Sequence, residues 1–487
     1  MKTKTTRFFF KGKISNFSHF STNYYVNSLQ YNQFLNNNTF TYNSQPISGH
    51  SLNAQLKNTQ KTTIVVGGGV VGVSTALYLC QNTRDNVILL EKLPEFAKET
   101  SNANGGIMGL EYNIIWVSKA IRTHYWNSLI DRDYPFKFRL KALFERHMLR
   151  WIFNMFISIR KDQENLDKID NLAKLSGKEF DALQKIIPRE KYDVIAKGLL
   201  SLYDTMHDFE KKLDFYEKKI KKGFQIVEIP SAEILKMEPI LSSSQEKFIK
   251  GIYWPVETNL ETEKFTNSML NYCNEKFKQR FKVLIETQAD SFLINAEKDN
   301  SEILGVVTNN GIIGLDRIVV AAGLQSKDLL DALNVKCLLA PVKGYTLSIP
   351  VKNFPLGVKT IVSDEKKRMS FSQIGEQIRI AAFAEFNGRD KNIKEKRKKQ
   401  ITHNLEEKIG KFPEENRNYW VGLRPVSPDD VPFIGRIKKF KNLYVNAGHG
   451  SKGTTLALGA ARILTEIMNP NGVESLNHKD YEFERFY

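Results

Sequence analysis

The chain has 487 residues, 41% hydrophobic and 26% charged, a composition typical of a protein with globular domains. No run approaches the ~20 consecutive apolar residues of a membrane span, so the sequence predicts no transmembrane helix. The three cysteines, Cys80, Cys273 and Cys337, are widely spaced and form neither a metal-binding motif nor an even-numbered disulfide set, which favours a reducing compartment.

The net charge of +17 is unevenly distributed along the chain. Residues 1–61 contain seven Lys and Arg and no Asp or Glu, which leaves +10 for the rest. An acid-free, basic segment of this kind is typical of a mitochondrial presequence, and we predict one here, with the protein in the matrix or at the inner-membrane surface. The alternative is a basic tail without fixed structure. The remaining positive charge lies in Lys-rich helical patterns without a recognition motif, so we predict no nucleic-acid binding.

A dinucleotide-binding fingerprint occupies residues 62–91. A β-branched run is followed directly by Gly67-x-Gly69-x-x-Gly72, a helical pattern, and a second apolar strand that ends in Glu91. The glycines permit a tight turn, close approach of backbone amides to a pyrophosphate, and packing of helix on strand, while the carboxylate is placed for ribose hydroxyls. The cofactor contacts predicted from this unit are Gly67, Gly69, Val70, Val71, Gly72, Glu91 and Lys92.

The loop that follows, Glu-Thr-Ser-Asn-Ala-Asn-Gly-Gly at 99–106, narrows the choice of cofactor. At this point the sequence resembles the D-amino acid oxidase superfamily, and within it the D-amino acid dehydrogenase branch. The resemblance implies FAD, held noncovalently because Cys337 is not in the motif that carries covalent flavin in sarcosine oxidases. The loop residues expected to follow the cofactor are Thr100, Ser101, Asn104, Gly105 and Gly106.

The resemblance extends over residues 62–487. The segment 317–323 reads as a buried strand ending in Ala322 and Gly323, which would let the cofactor come close. The segment 442–464 reads as a strand, a glycine-rich turn and a small-residue helix whose N-terminus would face the flavin. The turn residues predicted to contact the cofactor are Gly448, His449, Gly450 and Gly453, and for His449 a capping role stays equally open.

The pattern predicts an α/β fold with two interleaved domains: a Rossmann-type FAD-binding domain, and an α+β substrate domain with a mixed or antiparallel sheet. The predicted FAD-binding pieces are 62–115, 236–336 and 421–487. The predicted substrate-domain pieces are 116–235, which is largely helical, and 337–420. The segment 136–161 is predicted to be a helix with one apolar face, and it either packs on the substrate domain or contacts a membrane surface.

Arg424 is the candidate substrate-binding residue. It lies in Gly-Leu-Arg-Pro at the end of a β-favouring run, where an unpartnered cation is costly to bury. By resemblance it is the family's carboxylate-binding arginine, with a planar fork suited to that anion. An internal ion pair with Asp364, Asp429 or Asp430 is the alternative. Tyr345 would donate a second hydrogen bond to the same carboxylate, and core packing is its alternative.

The resemblance implies an FAD-dependent oxidoreductase that oxidises the Cα–N bond of a small amino or imino acid by hydride transfer to flavin N5. The electron acceptor would be O₂ or a quinone. Two alternatives stay open: a mitochondrial flavoprotein that assists assembly of a respiratory complex without turnover, and a 2-hydroxy acid dehydrogenase. The eight histidines are scattered and form no i,i+3 or i,i+4 ligand pair, so we predict no metal site.

Overall fold

A computed structural model describes residues 60–131, 133–139, 146–194, 197–295, 301–470 and 474–487. The predicted presequence, residues 1–61, lies outside the described residues except for its last two. Within these ranges the chain forms nineteen strands and eleven α-helices.

The strands are β1 Thr62–Val66, β2 Asn86–Leu90, β3 Ile107–Met108, β4 Phe136–Phe138, β5 Lys197–Tyr203, β6 Val227–Pro230, β7 Lys250–Asn259, β8 Phe281–Leu284, β9 Ala289–Asn295, β10 Glu302–Thr308, β11 Gly311–Gly314, β12 Arg317–Val320, β13 Ala340–Pro350, β14 Ile361–Asp364, β15 Met369–Ile374, β16 Gln377–Phe386, β17 Asn418–Val426, β18 Phe433–Arg436 and β19 Leu443–Ala447. The helices are α1 Val70–Asn82, α2 Ile121–Ile130, α3 Arg146–Ser158, α4 Asp162–Gln184, α5 Met206–Glu210, α6 Leu213–Lys221, α7 Ser231–Met237, α8 Thr262–Lys276, α9 Ser326–Ala332, α10 Glu395–Ile409 and α11 Gly453–Met468.

The first sheet has the strand order β18-β19-β12-β1-β2-β8. Strand β1 pairs in parallel with β2 and β12, β8 and β19 extend the parallel arrangement, and β18 at the edge is antiparallel. The β-branched residues Ile64–Val66 are buried, as expected for a parallel sheet covered on both faces. Helices α1, α4, α8 and α11 join one apolar cluster through Leu77, Leu172, Met269 and Leu458.

The other face of this sheet is covered by the antiparallel sheet β11-β10-β9 and by α9. Phe292, Val306 and Leu330 from these elements share a buried cluster with Ile64 and Val66 of β1. Since side chains alternate along a strand, β1 contributes to both clusters. The predicted Rossmann-type sheet is confirmed.

The second sheet is mixed and has ten strands. Its order is β17-β13-β16-β15-β14-β5-β7-β3, with β4 beside β16 and β6 beside β7. The pairs β14–β5 and β16–β4 are parallel and the others antiparallel. Helix α10 packs on one face, where Ile401 and Leu405 meet Leu347 and Ile380. Strands of the two sheets alternate along the chain, which confirms the predicted interleaved α/β fold.

Three strands correct the predicted domain ranges. Strands β3 and β7, and most of β17, fall in ranges assigned to the FAD-binding domain. All three strands nevertheless pair within the second sheet. Their partners are distant in sequence, so a local pattern does not reveal which sheet they join. The remaining boundaries stay a prediction.

The predicted helix at 136–161 is wrong at its start. Residues Phe136–Phe138 form β4, which pairs in parallel with β16, and the ring of Phe138 stacks on Phe386 at 4.7 Å between centroids. Pairing with a distant strand thus overrides the local helical pattern. Helix α3 begins at Arg146, and its inner face packs through Trp151 and Met155, with Trp151 Nε1 donating to the carbonyl of Val426 at 2.9 Å. Residues 140–145 lie outside the described ranges.

Candidate functional site

A cavity of about 790 Å³ lies between the two sheets. Val66, Leu90 and Ala447, at the carboxyl ends of parallel strands β1, β2 and β19, line one wall. Gly344 and Ala382 of the second sheet line the other. The carboxyl edge of an open parallel sheet is where such folds bind their ligands.

The glycine turn after β1 has no room for side chains. Gly67 has φ +117°, and a Cβ there would lie 2.5 Å from the carbonyl oxygen of Ala321. A Cβ on Gly72 would lie 1.8 Å from the carbonyl oxygen of Gly67, so only glycine lets α1 approach the turn this closely. Gly69 is the N-cap residue of α1 and supplies no capping side chain. The Val70 amide donates to Ser101 Oγ, and the amides that follow it in the first turn of α1 lack intrahelical acceptors and can bind a phosphate.

Glu91 holds its carboxylate at the end of β2. Its Oε2 accepts a hydrogen bond from the Gly68 amide at 2.8 Å, and its Oε1 accepts one from the Leu93 amide at 2.9 Å. These bonds fix the carboxylate at the cavity wall, and each oxygen retains a lone pair for a ribose hydroxyl. The neighbouring Lys92 also lines the cavity and pairs with Glu99 at 2.9 Å.

The loop at 99–106 connects the two walls. Ser101 Oγ accepts a hydrogen bond from the Val70 amide at 3.0 Å, so the loop contacts the start of α1. Thr100 Oγ1 donates to the carbonyl of Leu423 at 2.9 Å, so the same loop contacts β17 of the second sheet. Further along the loop, the cavity is lined by Asn104, Gly105 and Gly106.

The turn between β19 and α11 closes the cofactor side. His449 is buried, and its Nε2 has no hydrogen-bond partner among the described residues. Burial lowers the pKa of this imidazole to about 3, so it is neutral at physiological pH. The same turn lines the cavity with Gly448, Gly450 and Gly453, and the segment after β12 lines it with Ala322 and Gly323.

The predicted cofactor residues therefore come together in one cavity, with Gly72 behind the wall as a packing residue. A turn too tight for side chains, a helix whose N-cap residue Gly69 has no side chain, and a fixed carboxylate at the end of β2 fit the phosphates and ribose of a dinucleotide. The unpartnered Nε2 of His449 leaves a polar atom at the cavity for a further contact.

Arg424 lines the opposite wall. Its guanidinium lies beside Gly344, where a Cβ would come within 2.3 Å of it, and its Cζ is 4.9 Å from the ring centre of Trp116. Nη1 donates to the carbonyl of Phe383 at 2.9 Å. Burial lowers the pKa of the guanidinium to about 10, which still leaves it charged at neutral pH.

The predicted alternative, an internal ion pair, does not form. The three candidate carboxylates have other partners, in the pairs Asp364–Lys408, Asp429–Arg485 and Asp430–Lys452. In the part of the chain that the structure describes, no Asp or Glu oxygen lies within 4.0 Å of the Arg424 guanidinium. Arg424 is thus a half-buried cation at a cavity wall with room for an anion.

Tyr345 does not line the cavity, and its predicted role is wrong. The side chain is buried in the core of the second sheet, where its hydroxyl donates to Glu385 Oε2 at 2.9 Å. Alternation along β13 explains this, because Gly344 faces the cavity and the next side chain must face the other way. Burial raises the pKa of the Tyr345 hydroxyl, and the negative charge of Glu385 raises it further. The phenol therefore stays protonated and remains a donor.

The sequence interpretation missed a polar group on the substrate side of the cavity. Its members are Tyr112, His124, Lys212, Ser363, Glu365 and Arg368, and all of them line the cavity. They come from segments far apart in sequence and none belongs to a motif, so no local signal marks them. Trp116, which stacks on Arg424, was missed for the same reason.

Two features of the sequence remain to be placed in the structure, the potential metal ligands and Cys337. Among these residues no group of three or more His, Cys, Asp or Glu side chains is placed to hold a metal ion. Cys337 is buried in the apolar cluster behind the first sheet and does not line the cavity. None of the described helices has the length and apolar character needed to cross a membrane.

Comparison with known proteins gives consistent results. A family model described as DAO, FAD dependent oxidoreductase, matches residues 62–467. D-amino acid dehydrogenase 1 of Mesorhizobium japonicum is 27% identical over 426 residues, covering 87% of this chain and 99% of the relative. Glycine oxidase from Bacillus cereus superposes with a TM-score of 0.64 at 19% identity, covering 85% of this chain and 96% of the other. L-proline dehydrogenase from P. horikoshii gives 0.64 at 18% identity, covering 88% and 98%.

Proposed function

Because the chain belongs to the DAO family of FAD-dependent oxidoreductases, we propose that it oxidises the Cα–N bond of a small amino or imino acid. FAD is the cofactor, and the residues described above at the glycine turn, the 99–106 loop and the β19–α11 turn would hold it. Sequence similarity to D-amino acid dehydrogenases over most of the chain supports this substrate class.

Arg424 carries the proposal. A guanidinium that is half-buried, stacked on Trp116 and without a carboxylate partner among the described residues is suited to bind a substrate carboxylate. Its hydrogen bond to the Phe383 carbonyl fixes the direction of the fork before a substrate arrives. Holding the substrate by its carboxylate orients the α-carbon toward the cofactor side, and such orientation is a main source of rate acceleration.

When bound, the flavin supplies the acceptor for the two electrons and the hydrogen that leave the α-carbon as hydride. The chain's own residues set the electrostatics around it. The neutral imidazole of His449 adds no charge at the β19–α11 turn. The N-terminal end of α11 lines the cavity at Gly453, where the helix dipole favours negative charge.

Anaerobic flavin bleaching tests the proposal. The FAD-loaded protein is mixed without oxygen with D- and L-amino acids, imino acids and 2-hydroxy acids, and absorbance near the flavin maximum is followed. We expect bleaching by at least one amino or imino acid. Bleaching by 2-hydroxy acids alone would show that these, and not amino or imino acids, are the substrates. If no acid bleaches the flavin of a folded, FAD-loaded protein, a role without turnover is favoured.

The electron acceptor is proposed to be O₂ or a quinone, and timing reoxidation with each distinguishes them. Contact with a membrane surface would suit a quinone. Helix α3 exposes Phe153, Phe156 and Ile157 beside the exposed cations Arg150 and Arg160, a combination that suits an anionic lipid surface. We expect co-flotation with anionic vesicles that decreases in Phe153→Ser, and no flotation would contradict the contact.

A mitochondrial location is likewise proposed, from the acid-free composition of residues 1–61. A fusion of these residues to a fluorescent protein tests it directly. Import into mitochondria is the expected result, and a diffuse cytosolic signal would contradict the proposal.

A further inference from the structure

The cavity wall beyond Arg424 carries a second cationic group. Lys212, just before α6, and Arg368, in the turn between β14 and β15, both line the cavity, with Glu365 between them. We propose that Lys212 and Arg368 form a subsite for a second anionic group, so that the preferred substrate is an amino or imino acid with an acidic side chain. This inference rests on the proposed function and extends it to the substrate's distal end.

Charge in this group is not balanced. Glu365 Oε2 lies 3.7 Å from Arg368 Nη1 and 3.8 Å from Lys212 Nζ, beyond normal hydrogen-bond distance in both cases. No other carboxylate oxygen of the described residues lies within 4.0 Å of either cation, and neither side chain donates a hydrogen bond within this part of the structure. Two cations thus share one carboxylate and retain their N–H donors.

Glu365 positions the cations rather than neutralising the site. Its Oε1 accepts hydrogen bonds from the hydroxyl of Tyr112 and from Ser363 Oγ, the latter at 3.3 Å, which fixes the carboxylate. Burial works against the charged form, yet Lys212 and Arg368 together hold the pKa of the Glu365 carboxyl below its usual value. The carboxylate therefore stays ionised, and the group keeps a net charge of one cation.

The neighbouring His124 does not supply a counter-charge, and the carboxylate of Asp364, which also lines the cavity, pairs with Lys408 at 2.8 Å. His124 also lines the cavity, and burial, followed by repulsion from Arg368 and Lys212, lowers its pKa to about 4. Its Nδ1 is 2.7 Å from the hydroxyl of Tyr134, and its ring stacks on Phe136. Burial lowers the pKa of Lys212 as well, which indicates a cation that would gain from a bound anion.

The spacing between the two cationic groups suits a small diacid. The guanidinium of Arg424 lies beside Gly344 on β13. Strand β13 pairs with β16 through Tyr345 and Ala382, and β16 pairs with β15 through Ala382 and Met369, the residue after Arg368. Two strand spacings therefore separate the backbones, about 10 Å across the sheet. Ala381 and Ala382 of β16, the strand between these two ends, are small and line the cavity. A span of this length suits a short carbon chain with an acidic group at each end.

Binding of unreactive acids to the FAD-loaded protein tests the subsite without requiring turnover. Calorimetry compares glutarate with butyrate, which share a chain of similar length and differ in the second carboxylate. We expect glutarate to bind at least tenfold more tightly. In Arg368→Gln and in Lys212→Gln, we expect this preference to fall to below threefold while butyrate affinity stays within twofold. Equal affinities in the unchanged protein, or a preference that both variants retain, would overturn the proposal.

Matched controls separate this role from a structural one. Lys366→Gln alters an exposed cation of the same turn, which pairs with Asp204 rather than with Glu365, and we expect it to keep the preference. FAD content and thermal midpoint identify a variant that fails to fold. If either Arg368→Gln or Lys212→Gln does not fold, the preference for glutarate measured in the other variant tests the proposal. Loss of FAD from folded Arg368→Gln would assign the cations to the cofactor and overturn the proposal.

Flavin bleaching separates the subsite from the proposed function. Bleaching by acidic and uncharged amino acids at equal kcat/KM would reject the subsite and leave the proposed oxidation intact. If no amino acid bleaches the flavin while glutarate binding still depends on Arg368, the oxidation fails and the anion subsite remains. A sulfonate analogue of glutarate should bind like the dicarboxylate if anionic charge is what the subsite recognises.

Discussion

The two sides of the cavity are built from different parts of the polypeptide. The cofactor side consists mainly of backbone: glycine turns at Gly67 and Gly448, the start of α1, and small residues at strand ends. The substrate side consists of long charged side chains from separate elements, with Arg424 on β17 and Arg368 after β14. The cofactor side relies on backbone and on a few polar side chains such as Glu91 and Ser101, whereas the substrate side depends on long charged side chains.

This difference explains how one family can share a cofactor and differ in substrates. Backbone amides recognise phosphate in the same way whatever residue carries them, so the cofactor side requires mainly that Gly67 and Gly72 remain glycine. The charge and reach of the substrate side change with each substitution. Specificity is therefore expected to vary on the substrate side while the FAD site is retained.

Gly72→Ala gives the largest expected effect, on the cofactor side. The added Cβ would lie 1.8 Å from the Gly67 carbonyl oxygen, a backbone atom, so α1 or the turn must move. We expect a loss of about 3–5 kcal/mol in the free energy of unfolding and purification without flavin. Flavin absorbance per protein and denaturant unfolding measure the two effects.

Gly223→Ala is the matched control. Gly223 also has a left-handed backbone, with φ +79°, but a Cβ there meets nothing within 4 Å. We expect only the conformational cost, about 1–2 kcal/mol, and full flavin content. If Gly72→Ala kept its flavin and behaved like this control, the cofactor side would not depend on close backbone packing.

Arg424→Ala tests the substrate side alone. Removing the carboxylate partner is expected to cost about 2–5 kcal/mol of transition-state binding, seen mainly as a raised KM, because the bound carboxylate loses a desolvated charge partner. Flavin content should not change, since the side chain lies beside β13 and not at the glycine turns.

Arg424→Lys separates the contribution of the positive charge from that of the planar guanidinium geometry. Lysine keeps the positive charge but lacks the planar fork and cannot stack on Trp116 in the same way. We therefore expect an intermediate KM. Steady-state kinetics that are unchanged in Arg424→Ala would remove the carboxylate assignment, and loss of flavin would show that the two sides are not independent.

The two sides also differ in how much the sequence predicts. The fingerprint at 62–91 is contiguous, so the spacing of its residues is enough to identify Gly67, Gly69 and Glu91. Arg424 is predictable because it lies in a motif that resembles a family. Tyr345 was misassigned because the local pattern does not tell which face of β13 lines the cavity.

The second cationic group had no sequence signal at all. Lys212 and Arg368 are 156 positions apart and meet only because β14 pairs with β5 in the second sheet, which brings their adjoining turns together. The same applies to β7 and β17, whose sheet was misjudged. Contacts that depend on long-range strand pairing are decided by tertiary structure, whereas a strand–turn–helix unit is decided by neighbouring residues.

The pH dependence of stability tests one side chain of the cofactor side, the buried imidazole of His449. Its pKa is about 3 in the fold, compared with about 6.5 when unfolded, so the unfolded state binds more protons between these values. The free energy of unfolding is therefore highest above pH 6.5 and falls as the pH is lowered. One such group contributes a decrease of about 1 kcal/mol between pH 6.5 and 5.5.

His449→Gln removes this contribution while retaining a polar side chain, so its unfolding free energy should fall less over that interval. His403→Gln is the control for replacing a histidine at the surface, because His403 is 68% exposed. His124 also has a lowered pKa but is present in all three proteins, so its effect cancels in the comparison. An unchanged slope in His449→Gln would mean that the folded protein accepts a charged imidazole at the β19–α11 turn.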